Sequence, residues 1–362
     1  MNALYPLPRA LEQVNADWLT LALAGKCPGV TVTSVEVERI IWGTATKILV
    51  DLTYTGGHAT VGGHAARRPP AKLCIKGEFD ERVRRTLAAM TMTGTQVEAL
   101  FYSDLAPQLG LPLPRHWFAG SETGMGILIL DNLVAGNATF GSPTEPWSPE
   151  QVANALEILA TLHGSTWGRS FEHVGWLPIG PTAIRQANEY LMSAAHWAAH
   201  FADTRVFQMP PGLQDRERCL AGLHAMWRYD DANAHALIHG DAHLGTTCID
   251  AAGQPFFIDW AGPCLSCWAF DVANFMVGAL TIEDRRKHER ELLRRYLDRL
   301  AAHGAPTLDW PQAWDDYRRH ILNGIIWPTV PPNMQPLENV RAMGERYTTA
   351  LLDHDTLGLL GV

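Results

Sequence analysis

The chain has 362 residues, 47% of them hydrophobic and only 19% charged, enough to build more than one packed lobe. Its formal net charge is -9 and no Lys/Arg run exceeds Arg285 to Lys287, which argues against the basic footprint needed to bind a nucleic-acid backbone. Six scattered cysteines, without the dense spacing of a disulfide-stapled domain, point to a reducing compartment, and the expected location is the cytoplasm.

The elements follow in chain order. Residues 8–24 keep a three-to-four apolar repeat through Leu11, Val14, Trp18 and Leu21, predicting a helix. The alternating, β-branched stretches "VTVTSVEVERI" and "TKILVDLTY" read as strands joined by "IWGTAT", and "KLCIKGEF" reads as a third. Between the second and third lies a Gly-, Ala- and Pro-rich connection, residues 55–71. Residues 82–109 are helical in composition, and "RHWFAG" and "GMGILILDNL" add two more strands. Beyond residue 133 the chain turns mainly helical, with helices expected at 149–168, 182–203, 214–229, 282–302, 312–325 and 335–354. The apolar window 256–280 is broken by Asp259, Pro263, Asp271 and Asn274, so it reads as protein core and not as a membrane span. Cys264 and Cys267 form a CxxC inside that window; with no second CxxC or HxxxH behind it, the pair reads as structural thiols.

The stretch "ALIHGDAHLGTTCID", residues 236–250, carries the most chemistry. In one reading His239, Asp241 and His243 are an HxDxH metal site, which would make the protein a metallohydrolase and leave the N-terminal sheet without a job. The other reading is phosphoryl transfer, in which the protein positions a hydroxyl, holds Mg2+ and cradles phosphates. Its parts occur in a fitting order: a glycine turn between two strands (Gly43 to Thr46), a lysine in the third strand (Lys76), a glutamate on the following helix (Glu98), the HGD loop, and Asp259 after an apolar strand.

The segment "LIHGDAHLGTTCID…GQPFFIDW" resembles the HGDxHxxN…(I/V)DW signature of aminoglycoside-phosphotransferase-like and choline-kinase-like small-molecule kinases. "VEALFYSDLAPQLGLPLPRHWFAG", "LATLHGSTWG", "FDVANFMVGAL" and "MQPLENVRAM" are similar to the ecdysteroid-kinase-like branch of that superfamily. The resemblance implies an α+β, two-lobed protein-kinase-like fold: a small N-terminal antiparallel β-sheet lobe with a helix, residues 1–131, and a larger, mainly helical catalytic and acceptor-binding lobe, residues 132–362. It implies transfer of the γ-phosphoryl of ATP, with Mg2+, to a small-molecule hydroxyl. Asp241 would be the catalytic base, and Asp259 would bind Mg2+. Lys76 would meet the phosphates with Glu98 holding it, and Gly43, Thr44 and Thr46 would line the phosphate loop. The backbone of Leu130, Asp131 and Asn132 would face adenine.

One position departs from the pattern. Thr246 stands where the family has Asn, the second metal ligand, and offers a hydroxyl in place of a carbonyl oxygen. A hydroxyl does serve Mg2+ in P-loop enzymes, so Thr246 is retained as a metal candidate, with a nucleotide-binding pseudokinase as the alternative outcome. His239, His243 and Asp271 are expected to support the catalytic loop, and His163 to be a packing residue. Trp260, Trp268 and Trp327 are the candidates for acceptor contact. The Pro-, Met- and aromatic-rich stretch "NGIIWPTVPPNMQPLENV" favours a largely apolar acceptor, such as a steroid, terpenoid or polyketide, over an aminoglycoside- or macrolide-type antibiotic. The expected partners are therefore nucleotide and small-molecule acceptor, with no nucleic acid, membrane or obligate protein partner.

Overall fold

The computed structural model describes residues 6–56, 60–61, 64–65, 68–87, 92–203, 205–332 and 334–362. The chain divides into two compact units: Met1–Thr139 with Ile258–Ala261, and Phe140–Phe257 with Gly262–Val362.

The first unit contains α1 (Ala16–Leu23), β1 (Val30–Ile41), β2 (Thr46–Gly56), β3 (Thr60–Val61), β4 (His64–Ala65), β5 (Lys72–Gly77), α2 (Glu81–Leu87), α3 (Gly94–Leu100), β6 (His116–Glu122) and β7 (Met125–Asp131). Five of the strands form an antiparallel sheet in the order β1-β2-β5-β7-β6. The strict alternation of their side chains gives the sheet two faces. On one, Ile48, Val50, Leu73, Ile75, Ile127 and Ile129 make a core with Leu19 and Leu23 of α1. On the other, α3 packs against β7 and β6. The helix expected at 8–24 is broken in two: the apolar repeat starts in a short 3-10 turn at Leu11–Gln13, and Asn15 then caps α1 by accepting the Trp18 N–H. Residues 82–109 are not one helix: Thr93 caps α3, which passes into a π-helical turn over Phe101–Leu105. Part of the 55–71 connection (57–59, 62–63 and 66–67) lies outside the described residues.

A short strand, β8 (Thr139–Phe140), spans the division. The second unit continues with α4 (Pro149–Thr166), α5 (Thr182–Leu191), α6 (Ala194–Ala202), α7 (Arg216–Ala232), β9 (Ala236–Ile238), β10 (Thr247–Ile249), β11 (Pro255–Phe257), β12 (Cys264–Ser266), α8 (Ala269–Ala279), α9 (Ile282–Ala302), α10 (Trp310–His320), α11 (Leu337–Asp353) and α12 (Thr356–Leu359). Every residue of α8 is buried, as a helix apolar on all sides demands. Around it pack α4, α9, α10 and α11. The single helix expected over 182–203 is two, because the Ser193 hydroxyl caps a new start by accepting the His196 N–H. None of the helices among the described residues is long and apolar enough to cross a membrane.

Candidate functional site

In the first unit, β5 carries Lys76 into the interior, where its side chain is only 5% exposed. A buried ammonium needs compensation. Lys76 Nζ lies 2.5 Å from Glu98 Oε2 on α3 and donates to Asp259 Oδ1 at 2.7 Å. Burial opposes the charge on Lys76, but Glu98 and Asp259 outweigh it and hold the ammonium above its ordinary pKa. Burial also pushes Glu98 upward, against the pull of Lys76. Glu78, the other glutamate near this strand, is turned elsewhere: its carboxylate accepts the Gly126 N–H at 3.1 Å.

Gly126 explains why α3 can bring Glu98 so close. A Cβ at this position would lie 2.2 Å from the Thr95 carbonyl oxygen, so the helix rests directly on the strand backbone. Asp259 sits at φ 63, the left-handed region that Asp tolerates better than most residues, and its carboxylate is 42% exposed. Trp260 beside it stacks on Phe101 with ring centroids 4.2 Å apart.

Of the residues expected along the phosphate loop, Gly43 and Thr44 stand exposed. Thr46 does not: by strand alternation its side chain shares the core face of Ile48 and Val50, where its hydroxyl is buried without a hydrogen-bond partner. At the end of β7, the Asp131 N–H donates to the Arg115 carbonyl and the Asn132 N–H to the Lys72 carbonyl, while the Asn132 side chain caps the following turn through Val134 and Ala135. The Asp131 carboxylate accepts from Trp117 Nε1 at 2.7 Å.

The second unit holds the HGD loop, and here the backbone is what the structure secures. Asp271, in the first turn of α8, accepts the His239 N–H at 2.6 Å and the Gly240 N–H at 3.0 Å. Gly240 has φ 81, and a Cβ there would lie 2.0 Å from the Gly262 carbonyl oxygen, so only glycine fits. Behind Asp271 stands His163, whose Nε2 is 3.2 Å from the carboxylate and whose Nδ1 is 2.7 Å from the Tyr296 hydroxyl. Burial, with Asp271 nearby, keeps the Tyr296 phenol protonated, so Tyr296 donates to Nδ1 and His163 donates from Nε2 to Asp271. On the other flank Tyr347 donates to the Asn274 side-chain oxygen, and Asn274 Nδ2 donates to the Ala242 carbonyl at 2.9 Å.

Thr246 is drawn into the same scheme. Its hydroxyl lies 2.8 Å from the Asp241 carbonyl and 3.0 Å from that of His243, and it accepts the His243 N–H at 3.1 Å. The proton of this hydroxyl is thus spent on the loop. His239 Nδ1 accepts the Asp241 N–H, and its ring packs against Phe257. His243 Nδ1 accepts the Gly245 N–H, which turns Nε2 towards Asp241 Oδ1, 3.6 Å away. Asp241 itself presents a carboxylate that is 43% exposed. Trp327 meets His243 edge-on at 5.6 Å, whereas Trp268 is buried and stacked on Tyr296. With Trp260 buried as well, Trp327 is the one of the three expected acceptor tryptophans that is not fully enclosed.

The HxDxH reading fails on this geometry. His239 directs a ring nitrogen at a backbone N–H, and among the described residues the trio of metal-ligating side chains that converges is a different one, Asp230, Cys267 and His320. His163, Asn274, Tyr296 and Tyr347 were not among the expected site residues. One signal did exist: Asp271 and Asn274 are three apart in a helical stretch, a spacing that puts both on one face.

Comparison with known proteins places the chain in a family. A family model, "Phosphotransferase enzyme family", matches residues 79–317, about two thirds of the chain. The chain belongs to this phosphotransferase family. Among solved structures, the phosphotransferase resembles choline kinase LicA from Streptococcus pneumoniae (15% identity, TM-score 0.51, covering 90% of this chain and 94% of that one) and LicA in complex with AMP (14% identity, TM-score 0.50, covering 95% and 99%). It also aligns with macrolide 2'-phosphotransferase MphH from Brachybacterium faecium at 18% identity and TM-score 0.45, covering 92% and 98%. At such identities the likeness is one of fold: the α+β, protein-kinase-like architecture. No curated protein matches the sequence.

Proposed function

We propose that this phosphotransferase moves the γ-phosphoryl group of ATP, with Mg2+, to a hydroxyl of a small, largely apolar organic molecule. The observation that carries this reading is Lys76, buried and fixed between Glu98 and Asp259. A lysine held charged in a protein interior is a preorganised point charge for phosphate oxygens. In this reading residues 1–131 are the nucleotide-binding lobe and residues 132–362 the catalytic and acceptor lobe.

The donor set suits magnesium nucleotide. Asp259 offers hard carboxylate oxygen beside the lysine, and exposed Gly43 and Thr44 leave backbone for phosphates. Adenine would lie along Leu130 to Asn132. When bound, Mg2+ neutralises charge on the transferring phosphates. Thr246 serves as a latch on the loop in preference to a second metal ligand, because its hydroxyl already bonds the Asp241 and His243 backbone.

Asp241 orients the acceptor hydroxyl and accepts its proton, on a loop that its neighbours hold rigid. Trp327, Ile326 and Phe207, partly buried apolar side chains packed around Leu191, Val330 and Val340, supply surface for an acceptor of steroid, terpenoid or polyketide type. The similarity to the ecdysteroid-kinase-like branch supports the same choice, and the free cysteines support a cytoplasmic setting.

The test is Asp241→Ala. Transfer is expected to fall about 10³-fold, the scale of a lost general base, while nucleotide affinity by calorimetry stays within a factor of about two. Turnover that survives the substitution would remove Asp241 from the role. The latched Thr246 hydroxyl also favours a second reading, a nucleotide-binding pseudokinase; it would be established by a thermal shift with ATP and Mg2+ but no product from any acceptor.

A further inference from the structure

Outside the groups above, Asp230 of α7, Cys267 just after β12 and His320 at the end of α10 bring their ligand atoms within 4.8 Å of one another, all in the interior. Three details bear on what this trio does. First, His320 Nδ1 is 2.5 Å from the Asp316 carbonyl, so Nδ1 carries its proton and Nε2 is directed at Asp230 Oδ1, 2.6 Å away, and at Cys267. A backbone carbonyl that fixes the tautomer and aims the other nitrogen is the usual support behind a metal-binding histidine.

Second, Asp230 Oδ2 is buried with no hydrogen-bond partner, its nearest cation being Arg185 Nη2 at 3.7 Å, and Arg185 is itself committed to Asp231 at 2.8 Å. Third, one carboxylate, one thiolate and one neutral imidazole sum to the charge that a divalent cation cancels, leaving a neutral set that can be buried without a large desolvation penalty. Without a cation the same set needs an imidazolium, and still leaves the second carboxylate oxygen unsatisfied.

We propose that Asp230, Cys267 and His320 form a closed structural site for a zinc-class divalent cation. Mixed sulfur, nitrogen and oxygen donors select zinc among the common divalent ions. In a tetrahedral zinc site neighbouring ligand atoms lie about 3.3–3.8 Å apart, so the Nε2 to Oδ1 gap opens by less than about 1 Å on binding. Asp230 can bind through both oxygens, and this narrow bite makes the four-donor set a distorted tetrahedron. On binding, the Cys267 thiol and the His320 Nε2–H each give a proton to solvent, and bonds to the metal replace the S–H and the N–H. The ion would tie α7, the β12–α8 junction and α10 together, three segments with no covalent link near the site. Cys264, the other half of the CxxC, is not one of the ligands.

The experiment is metal analysis of the full chain, purified without a metal-affinity step. The expected content is about one zinc per chain, kept in Cys264→Ser and lost in Cys267→Ser. Removal by a chelator should lower the thermal midpoint by several degrees, and zinc chloride should restore it. Replacement with Co2+ should give a thiolate-to-metal charge-transfer band in the wild-type chain and in Cys264→Ser. Should Cys267→Ser fail to fold, the wild-type Co2+ spectrum decides alone. Absence of bound metal, of that band and of any midpoint rise with zinc overturns the proposal, and so does metal retained by Cys267→Ser. No nucleotide or acceptor enters these measurements, so they stand apart from the phosphotransferase reading.

Discussion

Lys76 and the HGD loop are held in place by different physics. Around Lys76 one buried cation is locked between two carboxylates, Glu98 in the interior and Asp259 at its solvent-facing edge. Around Asp241 the carboxylate itself remains part-exposed, and the scaffold grips the backbone on either side of it through Asp271, Asn274 and Thr246. A site fixed by charge is sensitive to any change in charge or protonation. A site fixed through peptide groups is sensitive to loss of shape and hydrogen-bonding capacity, even when no charge changes.

The largest break should come from Lys76→Met. Removing a preorganised charge from developing phosphate charge should lower kcat/KM by about 10²–10³. Glu98 is then left buried without its cation, beside a part-exposed Asp259, costing about 3–5 kcal/mol, read by urea unfolding. The pH dependence separates this from a packing defect. In the wild type, the raised Lys76 pKa means its contribution is complete below the ordinary lysine value of 10.5 and is lost as pH rises through the native value. In Lys76→Met, Glu98 keeps the burial that raises its native pKa and loses the cation that lowers it, so the destabilisation should be greatest above the Glu98 native pKa and shrink as pH falls through it. A pH-independent deficit would argue against charge as the cause.

Asp271→Asn comes next. It keeps the shape but offers one acceptor oxygen where two buried N–H groups need acceptors, a loss of about 2–3 kcal/mol. kcat should fall while nucleotide affinity holds, since the residue bonds the loop and His163 and no group assigned to the nucleotide; a large loss of nucleotide affinity would contradict the division of labour. Thr246→Val should cost about 1 kcal/mol and lower kcat modestly, because the Asp241 carbonyl and the His243 N–H lose their partner. The smallest effect is expected of Thr246→Asn, whose carboxamide can donate to the same carbonyl: activity unchanged or higher in a steady-state assay. Complete loss would show that Thr246 belongs to a differently built site.

The sequence made the charged half of this comparison the easier to read. Strand alternation placed Lys76 in β5, the order of parts paired it with a helix glutamate, and the IDW motif marked Asp259. It also exposed the five-strand sheet, through the polar alternation of β1 and the β-branched or apolar runs of the strands that α1 and α3 cover. The peptide-gripping half was less legible. His163 and Asp271 are 108 residues apart, and Asn274 and Tyr347 are 73 apart, so no local pattern joins them. Helix α8 was expected just after Asp271; it starts two residues earlier, so Asp271 lies inside its first turn, and burial on every side weakens the 3.6-residue period that would mark its start. The Thr246 hydroxyl was legible as a departure from the family pattern, but the bonds it makes were not. Trp260 and Trp268 show the limit of composition alone, since both rings are spent in stacking.

Gly126 has no functional group, yet it works as a spacer gauge for the charged site. The helix bearing Glu98 lies against bare backbone there, so the thickness of a single methyl group sets how far the glutamate stands from the lysine. A residue of zero chemistry thus fixes the throw of an electrostatic lever. Graded bulk at this one position offers a mechanical dial on the Lys76 ion pair that leaves every reactive group unaltered.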